Sequence, residues 1–326
     1  MFIIGCSSAQ VRQLTCWPEM FAIIGILVVF GAVLGGYLME HGSVAVLLQP
    51  AELLIIGGAA GGTVLIANPL HILKRIVSAA IHTIKGSEFT RERYLSSLKL
   101  GYQLLNKARR QGLMSLESDI EEPDKSTVFN QDPEFLKDPH VRAFFCDSMR
   151  MAISGVEAFE LDQLIDLDLE VMHHDSMQPV NSLTTVADSL PGLGIVAAVL
   201  GVVITMSALG GPPEEIGKKV AAALVGTFLG VLLCYGLVGP ISSNMSKLAD
   251  EERAYLNVLR VLIISFLKGT APILAVEAAR RASPGHVRPT FQELEQACRS
   301  QNSATTTNSP EASAEPEHAQ AAAAGE

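Results

Sequence analysis

Four stretches of this chain are apolar and carry no charged side chain, and that rules out a water-soluble globule. Phe21 to Met39 is 19 residues long, Leu53 to Ala67 is 15, Leu190 to Leu209 is 20 and Val220 to Val238 is 19. A helix needs about 20 apolar residues to cross the hydrocarbon core of a bilayer. Three stretches meet that length. The second is bounded by Glu52 and by Asn68-Pro69. It spans by taking in Leu70 to Leu73 or by a thin, tilted fit, and otherwise is a buried or re-entrant helix. The fold expected is an all-α membrane protein with four transmembrane helices, at about 21–39, 53–70, 190–209 and 220–239. A large helical cytoplasmic domain lies between helices 2 and 3, and a helical cytoplasmic segment follows helix 4.

Charge placement sets the orientation. Thirteen of the 24 Lys and Arg lie between residues 74 and 178 and eight lie after residue 240. The short link from Glu40 to Glu52 has none. Basic segments stay in the cytoplasm, so both termini of a multi-pass protein are expected there. The link GGPPEEIGKK between spans 3 and 4 reads as an outer hairpin. A net charge of −10 with no basic stripe argues against nucleic acid.

Small residues four apart mark faces where helices can approach closely in lipid. Gly31 and Gly35, Gly58 and Gly62, Ala197 and Gly201, and Gly226 and Gly230 are such pairs.

Outside the spans, residues 1–19 read as an extension ahead of a natural start at Met20. Cys6 follows no charged leader or adequate apolar core, so a lipoprotein signal is rejected. Leu70 to Ile84 places apolar residues at 3–4 spacing beside Lys74, Arg75, His82 and Lys85. This predicts an amphipathic helix, either at the inner membrane surface or in the cytoplasmic domain. The cytoplasmic domain is set at 74–188, with a long helix from Arg91 stopped at Gly112. His173, His174 and Asp175 lack ligand spacing and read as a solvated helix end. Val261 to Leu267 is too short to span and reads as a packing helix. Cytoplasmic helices are expected over 241–300 and a low-complexity, disordered tail over 301–326. The five cysteines show no CxxC pairing. No phosphate-binding glycine loop, GxSxG elbow, paired carboxylates or metal motif occurs. Neither an enzyme nor a cofactor is expected.

Ionisable groups within a membrane mark ion paths, and the spans hold none at mid-depth. Asp188 precedes span 3, and Glu40 and Glu52 lie at the outer ends of spans 1 and 2. If the protein moves protons, the mid-membrane carboxylate must come from another chain. Thr227 is the best hydroxyl for a wet path, unless it only back-bonds to its own helix. Pro191 opens span 3 and Pro240 closes span 4. Local chemistry reads them as ordinary helix ends; the alternative is a pair of hinges.

The segments GGYLMEHGS, QPAELLIIGG, KARRQGLMSLESDIEEP, NSLTTVADSLPGLGIVAAVLGVV and LVGTFLGVLLCYGLVGPIS occur in this order. With the layout of spans, they resemble the MotA family of flagellar motor stator proteins over about residues 20–292. The resemblance implies five copies of the chain around two copies of MotB, which supplies the membrane aspartate. It implies a place in a bacterial inner membrane, and torque on the rotor through FliG. By motif position, Arg109 and Glu117 match the charges that engage FliG, with Arg110 as a second basic residue. Pro191 and Pro240 match hinge prolines, and Thr227 matches a channel-facing threonine. Ala197 and Ala198, in GIVAAVLG, stand where sodium-driven relatives tend to carry threonine, which favours protons, while Thr205 keeps sodium open. The alternative is an energising channel subunit of the TolQ/ExbB type, which has three spans. A secondary transporter would need a substrate site, of which there is no sign.

Overall fold

The computed structural model describes residues 21–207 and 209–306 of the 326-residue chain. The extension at 1–19 and the start at Met20 lie outside the described residues, as do residues 307–326 of the tail. All regular elements among the described residues are helical. Four helices are long and apolar enough to cross a membrane. The chain is therefore a multi-pass, all-α membrane protein.

Helix α1 is Phe21–Met39. A link closed by the Tyr37 hydroxyl on the Ser43 carbonyl, 3.4 Å, leads into the short α2, Val44–Leu47. Helix α3 is Pro50–Ala67. It starts three residues before the apolar run because Pro50 supplies a fixed φ at the first turn and needs no N–H there. Asn68-Pro69 ends it, and α4, Leu70–Lys85, follows. Two faces of α4 do different work. Ile72 and Ile76 are buried, while Leu70, Val77 and Ile81 point outward. The helix packs on the two long helices and leaves an apolar edge exposed.

Helix α5, Arg91–Gln111, is capped by Thr90, whose hydroxyl accepts from the Arg93 N–H, and is stopped by Gly112 at φ 87°. A non-glycine residue is strained at that angle. Short turns lead to α6, Glu117–Glu121, α7, Pro133–Lys137, and α8, Pro139–Ile153. Asp132 and Asp138 cap α7 and α8 with their carboxylates.

Helix α9 then runs unbroken from Ala158 to Met206, 49 residues. At 1.5 Å per residue that is about 73 Å, more than twice the hydrocarbon thickness. Span 3 is its outer end. Helix α10 is Pro213–Leu233, followed by a π-wound turn, Cys234–Val238, and by α11, Gly239–Leu267. Helices α12, Pro272–Ala282, and α13, Phe291–Thr306, complete the described chain. Helix α13 carries regular structure six residues past the boundary expected at 300.

The cytoplasmic part is one body. Its core joins Leu98, Leu104 and Leu105 of α5, Phe144 and Phe145 of α8, Leu161, Ile165 and Leu169 of α9, Leu259 and Leu262 of α11, and Val276 of α12. The segments on either side of spans 3 and 4 thus share a core, although the sequence separates them. Arg260 ties the two long helices through Asp162, at 2.7 Å, and Asp166. Buried Arg93 stacks on Phe89 and Tyr255 and donates to Asp138 at 2.6 Å. Burial pushes the Tyr255 phenol up to about 12.

The histidines expected at a solvated helix end lie inside α9 instead. His173 is mostly buried, with Nε2 3.8 Å from Asp250, while His174 is exposed. No group of metal-ligating side chains occurs among the described residues.

Candidate functional site

The membrane part is organised by the contact between α9 and α10. A Cβ placed on Gly194 would lie 2.8 Å from the Gly226 carbonyl oxygen. One on Gly230 would lie 2.6 Å from the Leu190 carbonyl oxygen and 2.9 Å from Gly194 Cα. One on Gly201 would lie 2.9 Å from Ala223 Cα. Only glycine lets the two backbones meet this closely. Of the four small-residue pairs in the sequence, two build this contact. Gly31, Gly35, Gly58 and Gly62 meet nothing within 4 Å in the chain. They face outward, where lipid or another subunit lies.

Thr227 sits beside this seam, half-buried. Thr63, Thr184 and Thr205 spend their hydroxyls on their own helix carbonyls. Among the described residues Thr227 makes no such back-bond, so its hydroxyl is left for something else. Ala198 is also half-buried. Ala197 is not at an open face. It is fully buried in the α9–α10 contact against Gly226, so its methyl sets helix separation rather than lining a path.

Glu52 differs from expectation in the direction of its side chain, not in its place. It lies in the first turn of α3, as expected of an outer end, but its side chain is turned inward and is 7% exposed. Oε2 reaches Gly226, where a Cβ would come within 2.6 Å of it, and has no hydrogen-bond partner. The signal that could have found it is Gly226 itself, a small residue that makes room for a carboxyl.

Pro191 and Pro240 do not end helices. Pro191 lies inside α9, as does Pro179. Each removes an N–H from the helical ladder, and both stay helical because packing on the neighbouring long helices holds them. Pro240 follows the π turn in which the Gly239 N–H donates to the Cys234 carbonyl. The widened turn absorbs the ring that would clash in a regular helix. Both prolines therefore sit at weakened points of otherwise continuous rods.

At the far end of the cytoplasmic domain, Arg109 and Arg110 occupy the last turn of α5, and Glu117 opens α6. All three are exposed, and none forms an ion pair among the described residues. Beneath them the turn is braced. Lys107 Nζ lies 2.6 Å from Asp119, which also accepts from the Ser126 hydroxyl at 2.6 Å. Leu116 and Ile120 anchor the turn in the core. Free charges are thus held on a stiff support.

The motility protein A N-terminal family matches residues 23–112, and the MotA/TolQ/ExbB proton channel family matches residues 137–257. The chain is 40% identical to motility protein A of Salmonella typhimurium over 292 residues, 88% of this chain and 99% of that one. Its fold resembles that in the structure of C. jejuni MotAB, with TM-score 0.70 at 18% identity over 83% of this chain and 99% of that one. It also resembles the flagellar MotAB stator complex of Bacillus subtilis, with TM-score 0.64 at 25% identity over 79% and 93%.

Four spans, a close-packed outer hairpin and a rigid cytoplasmic body define a membrane subunit of the proton channel type. Within that class the chain belongs to the motility protein A family, the stator proteins of the flagellar motor.

Proposed function

We propose that the chain works as the ring-forming subunit of a proton-driven stator, five copies surrounding two copies of MotB, with both termini in the cytoplasm. MotB supplies the working carboxylate of the channel. Its protonation changes the charge facing Thr227 and Ala198 of the nearest subunit. The observation that carries this reading is the continuity of α9 and of α10 through α11. Both rods begin at the channel face and end in the cytoplasmic core without an interruption. A tilt at Thr227 therefore reaches Arg109 and Glu117 as movement of one body. Pro191 and the π turn before Pro240 give the rods their compliant points, at the level where membrane meets cytoplasm.

Arg109 and Glu117 make the contact with FliG of the rotor, with Arg110 sharing the basic role. Exposed pairs are worth about 0–1 kcal/mol each, weak enough for repeated attachment and release. An energising channel of the TolQ/ExbB type is disfavoured by the N-terminal family match over 23–112, which covers spans 1 and 2 and reaches Arg109.

The test is swimming of a strain lacking its own stator, complemented with this chain and its MotB. Restored swimming is expected, as is its loss in the Arg109→Glu, Glu117→Lys double variant with the membrane complex still recovered intact. Full swimming in that variant would remove both residues from torque generation. No swimming with the wild-type pair in the membrane would remove the stator reading.

A further inference from the structure

We propose that Glu52 is a second proton-binding carboxyl of the ion path, placed outside the partner's carboxylate and exchanging protons with the outer face. The inference rests on the stator reading above for the direction of flow.

Glu52 is the sole carboxyl among the described residues that is turned into the packing of the spans. It meets α10 at Gly226, six residues past Val220, where the apolar run begins. Six residues are about 9 Å along α10, while on α3 Glu52 borders the apolar run that begins at Leu53, so the buried carboxyl lies at the outer edge of the apolar zone rather than at its middle. A carboxylate in such a place costs several kcal/mol unless it is paired or protonated. No pairing is present, since Oε2 has no hydrogen-bond partner. The space beside Gly226 that Oε2 enters is closed on its other sides by the Ala197 methyl and the Ala198 backbone N of α9, which a Gly226 Cβ would meet at 3.1 and 3.3 Å. Helix α2 contributes no ionisable residue. No charged side chain among the described residues forms a hydrogen bond with it. The charged groups nearest along the packed elements are Glu214, Glu215, Lys218 and Lys219 at the start of α10, Asp188 on α9, and Glu40 and His41 in the link. The other charges of α9, from Glu160 to Asp175, precede Ala197 by about 33 Å of helix or more, and those of α4 follow Asn68 at the opposite end of α3. Lys218 is on Glu214 at 3.1 Å.

The ordinary structural use of an acid at this position is also absent. A Glu in the first turn commonly turns back to the N–H of the capping residue. Glu52 instead reaches across to another helix, and α3 has no side-chain cap. Buried ionisable groups in membranes are retained for function. A hydronium ion arriving from outside gives its proton to the Glu52 carboxylate and leaves as water. The neutral carboxyl then releases that proton inward, toward the partner's carboxylate beside adjacent Thr227, and is ready again.

The test uses the intact complex with its MotB in cells lacking their own stator. Single-motor rotation speed is followed against outer pH between about 5 and 8, for wild type, Glu52→Gln and Glu52→Asp. Recovery of the complex from membranes is measured in parallel. Glu52→Gln is expected to assemble and to lose about tenfold or more in speed, as befits removal of a positioned proton-transfer group. Glu52→Asp is expected to rotate with a displaced pH profile, because the shorter side chain withdraws the carboxyl from Gly226. Wild-type speed and profile in Glu52→Gln overturn the proposal while leaving the stator reading in place. If Glu52→Gln does not assemble, Glu52→Asp decides, and an unchanged profile overturns the proposal. A wild-type complex that drives no rotation overturns both readings.

Discussion

Gly230 is one of the tightest points of the membrane hairpin, and it allows a quantitative test. In Gly230→Ala the new methyl would lie 2.9 Å from Gly194 Cα and 2.6 Å from the Leu190 carbonyl oxygen. Both are backbone atoms, which cannot rotate away. Carbon contacts settle near about 3.5 Å, so α9 and α10 must part by about 0.6 Å at this level. A gap of that size forfeits roughly a quarter of each contact's attraction along the seam. Overpacking of this kind costs about 1–3 kcal/mol. Alanine recovers up to about 1 kcal/mol through its better helix propensity. The matched control is Gly217→Ala, at an exposed position of α10 with nothing within 4 Å. It gains the propensity and loses nothing. Thermal unfolding of the detergent-purified complex should therefore place Gly230→Ala several degrees below Gly217→Ala, at roughly 2–4 °C per kcal/mol. Equal or reversed midpoints would refute the close-packed seam.

Lys107→Met leaves Asp119 with only the Ser126 hydroxyl and should cost about 2 kcal/mol; Asp119→Asn added to it should recover part of the loss in a double-mutant cycle of unfolding midpoints. Arg280, then Arg281, hold the Glu277 carboxyl down to about 2 by hydrogen bonding. That contribution to stability is complete above its ordinary 4.5 and is lost as pH falls from there to about 2. An acid titration followed by far-UV circular dichroism should show Glu277→Gln less sensitive than wild type over that window. Pro191→Ala restores an N–H to the α9 ladder, and should raise the unfolding temperature while slowing the motor; faster rotation would argue against a compliant role.

Much of this was legible in the residues because it depends on local chemistry. Phe21–Met39 is apolar throughout and is a helix over those residues, and Gly112 stops α5 because the chain there needs a positive φ. What stayed hidden depends on partners distant in sequence. Pro191 reads locally as a helix start, yet α9 passes through it because packing on α10 and α11 outweighs one missing hydrogen bond. The π turn before Pro240 is the same effect in another form. Glu52 and Gly226 lie far apart along the chain, so neither the inward turn of the carboxyl nor the burial of Ala197 follows from spacing. The shared core of the two cytoplasmic segments was likewise invisible until Leu98, Leu169 and Leu262 met.

The measurement closest to the centre of the matter is rotation speed while the proton gradient is collapsed at constant sodium. Cells carry this chain and its MotB as their sole stator. Speed is expected to fall in step with the proton gradient and to ignore changes in sodium. Rotation that persists without a proton gradient and follows sodium would contradict proton drive through the Thr227 face.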